Sequence, residues 1–298
     1  MVRETPKRQK RTAPVVEEEE WTGGLPPPKP VLKWAGGKSR LIPDVLARLP
    51  QRIATYYEPF LGGAAIFFAL AREKRFEHAI LTDKNPELVD VYRAVQQDVE
   101  SVIEELSRMP HSEQAYYHIR AQKPRGLSKR AARTIYLNRT GYNGLYRVNR
   151  SGEFNVPYGR YKNPKYCDPP RLRAASLALQ GAEIFVSDFE QATRDANKGD
   201  AIYFDPPYVP LSPTSNFTAY HREPFGLGEQ ERLAIHFDEL GRRHVQIVLS
   251  NSDTPITREL YKPFHVDNVS MPRAINSRGS GRGKVGELLV VHRRQKLK

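Results

Sequence analysis

The stretch from Tyr56 to Asp83 carries an alternation that few folds can use. Tyr56-Tyr57-Glu58-Pro59-Phe60 reads as a short strand running into a glycine turn, Gly62-Gly63. Ala64 to Arg75 reads as an Ala- and Leu-rich helix with its charges at the far end, and His78-Ala79-Ile80-Leu81-Thr82 as a second strand ended by Asp83. Pro86 suits the first turn of a following helix. Strand, turn, helix, strand is the opening of an open, doubly wound α/β domain. The rhythm returns late in the chain. Ile184 to Val186 and Ala201-Ile202-Tyr203-Phe204 read as buried strands, Leu233 to Arg243 as a helix, and Val245 to Leu249 and Leu288 to Val291 as further strands.

Between these two α/β stretches lies a segment of different character, 87–175. It reads as mainly helical (Val99 to Leu106, Glu113 to Gln122, Lys129 to Asn138), followed by a Gly- and Asn-rich run, Gly141 to Gly159, expected to form loops and a hairpin. The formal net charge of the chain is +13, and its placement is uneven. Residues 120–173 hold 14 basic residues and two acids, Glu153 and Asp168, and residues 273–298 hold 8 basic residues against one acid. Tyr136, Tyr142, Tyr146, Phe154, Tyr158, Tyr161 and Tyr166 are interleaved with the first basic block. A solvated face explains many charge runs, but cations mixed with aromatics over this length suit a polyanion, with phosphate contacts and base stacking. The expected organisation is one α/β domain in two parts, 31–86 and 176–298, interrupted by an inserted recognition module at 87–175. Residues 1–30 are expected to be a disordered tail, with order beginning near Val31, because a basic run, four glutamates and a proline cluster bury too little apolar area to offset chain entropy.

Composition excludes several classes. Apolar runs such as Ala64 to Ala71 fall far short of the ~20 residues of a membrane span, and the N-terminus lacks the apolar core of a signal peptide. The single cysteine, Cys167, cannot form an internal disulfide and does not suit a Cys-based metal site. A cytoplasmic, nucleoid-associated protein without a metal is expected, most simply a monomer.

Three motifs carry chemistry. The most specific is Asp205-Pro206-Pro207-Tyr208, directly after the apolar strand Ala201 to Phe204. Two prolines alone indicate a turn at a strand end. They do not account for the acid before them and the aromatic after them. A stiff turn of this kind can hold the Asp205 carboxylate and the Pro206 carbonyl as two fixed acceptors for the N–H bonds of an exocyclic amine. Tyr208 can stack on a base taken out of the duplex. The second motif is Glu58-Pro59-Phe60-Leu61-Gly62-Gly63 with Asp83. The glycines allow close backbone approach, and an acid ending the second strand can bind ribose hydroxyls. It is not the G-x-G-x-x-G pattern of dinucleotide sites. The third is Lys33-Trp34-Ala35-Gly36-Gly37-Lys38-Ser39. A phosphate loop would need glycine where Leu32 stands, so a nucleotide triphosphatase is rejected; Trp34 and Lys38 read instead as an aromatic face and a positive charge clamping a cofactor.

Together these residues closely resemble the Dam-type DNA adenine methyltransferases, the D12 class of the α group, over about 31–295. The resemblance rests on KWAGGK at 33–38, EPFLGG at 58–63, LTDKN at 81–85, LNRTGYNGLYRVNRSGEFNVPYGRYK at 137–162, DPPYVPLSPTSNFTAYH at 205–221 and SNSDT at 250–254. It implies a Rossmann-like methyltransferase fold and transfer of a methyl group from S-adenosylmethionine to N6 of adenine in double-stranded DNA, with base flipping. Carried over by position, Trp34, Lys38, Asp83 and Asp205 contact the cofactor, with Glu58 and Gly62 in the same turn and Asp188 near its adenine. The same resemblance places Tyr142 as a wedge beside the flipped base with Asn143 next to it. Leu145, Arg147 and Pro157 then read the bases after the adenine, Lys33 the first guanine of GATC, and Tyr161 adds a contact. Arg147 suits the O6 and N7 of a guanine, and Leu145 and Pro157 a thymine methyl. Each of these could instead be a backbone contact or a packing residue. Thr140 departs from the family's pattern, which leaves a site related to GATC open. The stretch Leu211 to Phe225 reads as a surface loop, and the resemblance implies that it orders when substrate and cofactor are bound. Other readings remain at this level: a DNA-binding protein with an inactive fold, a cytosine N4 methyltransferase, for which serine more often replaces Asp205, and an RNA substrate. A solitary regulatory enzyme and a restriction partner are equally compatible.

Overall fold

The computed structural model describes residues 21–34, 40–149, 151–208, 225–270 and 286–292. In chain order the regular elements are α1 (Ile42–Leu46), β1 (Ile53–Glu58), α2 (Ala65–Arg72), β2 (Phe76–Asp83), α3 (Pro86–Gln97), α4 (Val99–Ser107), α5 (Glu113–Ala121), α6 (Leu127–Thr140), α7 (Pro169–Leu179), β3 (Glu183–Val186), α8 (Phe189–Thr193), β4 (Ala201–Phe204), α9 (Leu227–Arg242), β5 (Gln246–Ser252), α10 (Pro255–Leu260), β6 (His265–Ser270) and β7 (Gly286–Val291).

The strands form one sheet in the order β3-β2-β1-β4-β5-β7-β6. The first five pair in parallel, and β7 runs antiparallel between β5 and β6. The fold is thus a mixed α/β, Rossmann-like one, as expected. The chain moves outward from β1 through β2 to β3 and then returns to the other side of β1 for β4. The crevice of such a sheet lies at the carboxyl ends of the strands where the order reverses, here at Glu58 of β1 and Phe204 of β4.

Alternation along the strands sorts the core into two layers. Tyr56, Ala201, Tyr203, Val248 and Leu289 join a cluster fed by α1 to α7, whereas Tyr57, Ile202, Phe204, Ile247, Leu249 and Val290 join one fed by α9 and by Phe189 and Tyr261. The helices follow from their own sequences. In α3, Asn85 accepts a hydrogen bond from the Glu87 amide, Pro86 takes the first position, and Leu88, Val91, Tyr92 and Val95 form one buried stripe. In α9 the stripe is Gln230, Leu233, Phe237 and Leu240.

Two boundaries and one strand differ from expectation. The described chain begins ten residues before Val31, and in this part Pro28 is buried and the Trp21 amide donates to the Leu25 carbonyl at 2.8 Å. The boundary expected at 175 falls inside α7, whose start is set by the Asp168 cap and a proline. The edge strand β6 was not anticipated: His265-Val266-Asp267-Asn268-Val269 offers two valines and no clean alternation. The helical segment α3 to α7 shares its hydrophobic cluster with the sheet. No described helix is long and apolar enough to cross a membrane.

Candidate active site and nucleic-acid interface

The turn after β1 is built by close contact. Gly62 has φ of +46°, and a Cβ on it would lie 2.9 Å from Cδ1 of Trp34, so glycine is needed both for the backbone and for the indole packed on it. The Gly62 amide donates to Asp83 Oδ2 at 3.2 Å and its carbonyl accepts from the Tyr92 hydroxyl at 2.9 Å. Asp83 Oδ1 accepts from the Asn85 amide. The carboxylate that ends β2 thus fixes the glycine turn and the cap of α3 together. Glu58 points elsewhere. It is buried, and its Oε2 accepts from the Tyr56 hydroxyl and the Phe67 amide, both at 2.9 Å. Burial pushes its carboxyl up to about 8; the two donated hydrogen bonds pull the other way, and the charge of Asp205 adds a smaller upward push.

The Asp205-Pro206-Pro207-Tyr208 turn follows β4 and is held from three neighbouring elements. On β5, the Ser250 hydroxyl donates to Asp205 Oδ1 at 3.0 Å. From α9, Gln230 Nε2 donates to the Pro207 carbonyl at 2.9 Å, and Gln230 is itself held by Asn251 Nδ2 at 3.0 Å. On β7, Glu287 Oε1 accepts from the Tyr208 hydroxyl at 2.7 Å.

The hairpin side of the site is joined to the glycine turn through residues 33 and 34. The buried Asn138 accepts from the Lys33 amide at 2.7 Å and donates to the carbonyls of Lys33 at 2.7 Å and Gly144 at 3.1 Å. The Lys33 ammonium lies 4.7 Å from the centre of the Tyr161 ring. Burial, then the charge of Arg139, lowers the Lys33 pKa. Tyr142 and Asn143 are exposed at the tip of a one-turn helix, Asn143 with φ of +55°. Pro157 is exposed, and its carbonyl accepts from the Tyr142 amide. Arg147 is exposed on the same hairpin, its Nε donating to Asn155 Oδ1 at 2.7 Å. Leu145 is half-buried. The expected loop-and-hairpin character holds, with bridges between Gly141 and Tyr158 and between Val148 and Phe154.

Comparison with known proteins decides the family. Residues 34–275 match the family described as D12 class N6 adenine-specific DNA methyltransferase. The chain belongs to that family. It is 40% identical to the type II methyltransferase M1.LlaDCHI of Lactococcus lactis subsp. cremoris, over 89% of this chain and 95% of that protein. It is 39% identical to the type II methyltransferase M.MjaIII of Methanocaldococcus jannaschii, over 89% and 99%. It is 37% identical to the DNA adenine methylase of Escherichia coli K12, over 88% and 94%.

Of the cofactor positions expected for this methyltransferase, Asp188 stands apart from the cluster just described. Lys38 lies outside the described residues, as does most of the 211–225 stretch. Asp188 caps α8 through the Glu190 amide, and its Oδ2 meets Lys84 Nζ at 2.8 Å and Arg232 Nη2 at 2.6 Å. Burial opposes its charge, but those cations and the amide outweigh it, and its pKa is lowered. The residues that sequence reasoning missed are Tyr203, Ser250, Asn251, Gln230, Glu287 and Asn138. Ser250 and Asn251 stood inside a motif of the adenine methyltransferase resemblance, SNSDT. Asn138 stood inside the 137–162 motif, and Tyr203, Gln230 and Glu287 carry no local signal that marks them.

Proposed function

We propose that the enzyme transfers a methyl group from S-adenosylmethionine to N6 of adenine within GATC in double-stranded DNA, acting on a flipped-out base. When bound, that donor supplies an electrophilic methyl group. Trp34, Gly62 and Asp83 hold it, at a turn where a Cβ would collide with the indole and a buried carboxylate ends β2. Lys38 and Asp188 complete the set on the strength of the family resemblance, with Glu58 acting from beneath by fixing α2.

The observation that carries the reading is the anchoring of the turn after β4 at the reversal of the sheet. The lone pair of an adenine amine is delocalised into the ring. The Asp205 carboxylate and the Pro206 carbonyl accept its two N–H bonds and localise that lone pair toward the methyl carbon; on transfer the N–C bond would form as the S–C bond breaks, the donor leaving as a thioether, and the surplus N6 proton would pass to the Asp205 carboxylate. The Pro207 carbonyl is already engaged by Gln230, and the Tyr208 ring is aligned through Glu287 to stack on the base. Fixed acceptors of this kind lower the barrier because they need no reorganisation during reaction. Tyr142 and Asn143, exposed on the one-turn helix at the base of the hairpin, fill the gap left by the base. Lys33, Leu145, Arg147, Pro157 and Tyr161 read or grip the flanking bases from the same surface.

The test is transfer of labelled methyl from S-adenosylmethionine to a GATC duplex and to the duplexes with each base pair replaced in turn. Each wrong base pair is expected to lower kcat/KM by roughly ten- to a hundredfold. Equal rates on all duplexes would remove GATC from the reading, and label on cytosine would remove the adenine assignment.

A further inference from the structure

We propose that Ser250, oriented in turn by Tyr203, is a positioning residue for Asp205 that acts on the chemical step and not on DNA binding; this rests on the role proposed above for Asp205. Two hydrogen bonds carry it. Ser250 Oγ donates to Asp205 Oδ1 at 3.0 Å, and Tyr203 Oη lies 2.9 Å from Ser250 Oγ. Ser250 and Tyr203 are buried, 0% and 1% exposed. A serine hydroxyl has one proton to give. Once it is given to the carboxylate, the Tyr203–Ser250 bond can form only with the tyrosine as donor. The chain therefore has one direction, from Tyr203 to Ser250 to Asp205, and both protons point toward the acid.

The strands make this arrangement by register. Phe204 of β4 pairs with Leu249 of β5, so the next residue on each strand, Asp205 and Ser250, fall side by side. Tyr203 lies on the same face, one alternation back, in the layer that also holds Tyr56. The surroundings explain why such donors matter. Glu58 approaches from β1, Glu287 from β7, and Tyr208 from the turn itself. The charges of Asp205, Glu58 and Glu287 all reach the Tyr203 hydroxyl, which burial first and these acids next hold well above the usual tyrosine range. Asp205 is half-buried beside these two further carboxyl groups. Two aligned hydroxyls favour its charged form and fix the plane of the carboxylate, which decides where its other oxygen points. The amine of a flipped adenine needs an ionised acceptor at one fixed place, and the hydroxyl chain provides both conditions.

The experiment compares Ser250→Ala, Ser250→Thr, Tyr203→Phe, the double variant Ser250→Ala/Tyr203→Phe and Asp205→Ala. Single-turnover methylation of a GATC duplex, DNA affinity, melting temperature and the pH dependence of kcat are measured on the same preparations. Ser250→Ala is expected to slow methylation roughly ten- to a hundredfold, as removal of a hydrogen bond to a charged group does. DNA affinity should stay within about twofold, and the acidic limb of the pH profile should move to higher pH, because the lost donor favoured the charged form. Ser250→Thr keeps the hydroxyl and should recover most of the rate. Tyr203→Phe should show a smaller loss in the same direction, and the double variant should be no slower than Ser250→Ala, since the tyrosine acts through the serine. Should Ser250→Ala fail to fold, the Thr and Phe variants decide the matter alone. An unchanged rate and pH profile in Ser250→Ala beside a dead Asp205→Ala would overturn the inference, as would slower methylation accompanied by lower melting temperature and an unmoved pH profile. An active Asp205→Ala would instead overturn the role of Asp205 on which the inference stands.

Discussion

Arg147 shows how the hairpin prepares a side chain before any partner arrives. Its Nε and Nη2 both bond Asn155 across the hairpin, to Oδ1 at 2.7 Å and to the carbonyl at 3.2 Å. A guanidinium anchored at one edge presents the remainder of its fork in a fixed plane, which suits a guanine edge better than a swinging phosphate contact. Arg147→Ala is therefore expected to relax discrimination at one base pair after the target adenine by roughly ten- to a hundredfold in kcat/KM. A uniform loss over all duplexes, with a salt dependence shallower by about one counterion, would make it a backbone contact. Glu58 supports a prediction of a different kind. With its carboxyl raised from 4.5 to about 8 by burial, the folded protein holds a proton between these values that the unfolded chain has released. Stability from this group is present at low pH and is lost as pH rises through about 8. In Glu58→Gln, which keeps an acceptor for Tyr56 and Phe67 without the charge, that loss should vanish. The gap in melting temperature between variant and wild type should move in the variant's favour from pH 5 to pH 9 (about the window in which one titrating acid acts). Parallel curves would show that Glu58 does not titrate there.

At the scale of elements, one amide side chain on α6 links the glycine turn to the hairpin. Asn138 satisfies the amide and carbonyl of Lys33 and the carbonyl of Gly144, so Lys33 and Trp34 are held between the recognition hairpin and Gly62. Asn138→Ala should destabilise the fold by about 2–4 kcal/mol, because it strands several backbone groups at once. It should also blunt discrimination at the base pair assigned to Lys33, measured on substituted duplexes. A variant that melts like wild type and discriminates as well would show that the clamp is incidental. The sequence revealed elements with a strong period or clear punctuation. The strand Ala201–Phe204 is observed with the bounds expected of it, the helices α4, α5 and α6 lie within two residues of expectation, and the turn after β4 announced itself by four residues that no plain turn requires. It did not reveal Asn138, Tyr203 or Ser250 as working residues. Their partners lie across strands or, for Asn138 and Lys33, 105 positions away, and nothing local marks a buried polar side chain as occupied. The edge strand β6 was hidden for a related reason: its two valines, Val266 and Val269, pack against different core layers, so no period-two alternation survives.

The whole molecule divides its charge between two tasks, a division invisible in composition. Several cations of the basic block 120–173 serve the fold. Arg139 donates to the carbonyls of Pro30 and Val31, Arg133 to those of Ile119 and Arg120, while Arg130 pairs with Asp90 and Arg173 with Glu100. In the function proposed above, other cations of the block and the exposed Tyr142 face the DNA, while the acids at the strand ends face the reacting amine. On that reading binding and chemistry fall to different parts of the structure, and they should come apart experimentally. The most direct measurement is single-turnover methylation of a GATC duplex by Asp205→Ala beside DNA affinity measured on the same protein. The predicted result is a methylation rate lower by at least about a thousandfold, equivalent to ~4 kcal/mol of lost transition-state stabilisation, with DNA affinity little changed because phosphate contacts dominate it. An Asp205→Ala protein that keeps a tenth of the wild-type rate, or that loses DNA binding together with activity, would contradict the account.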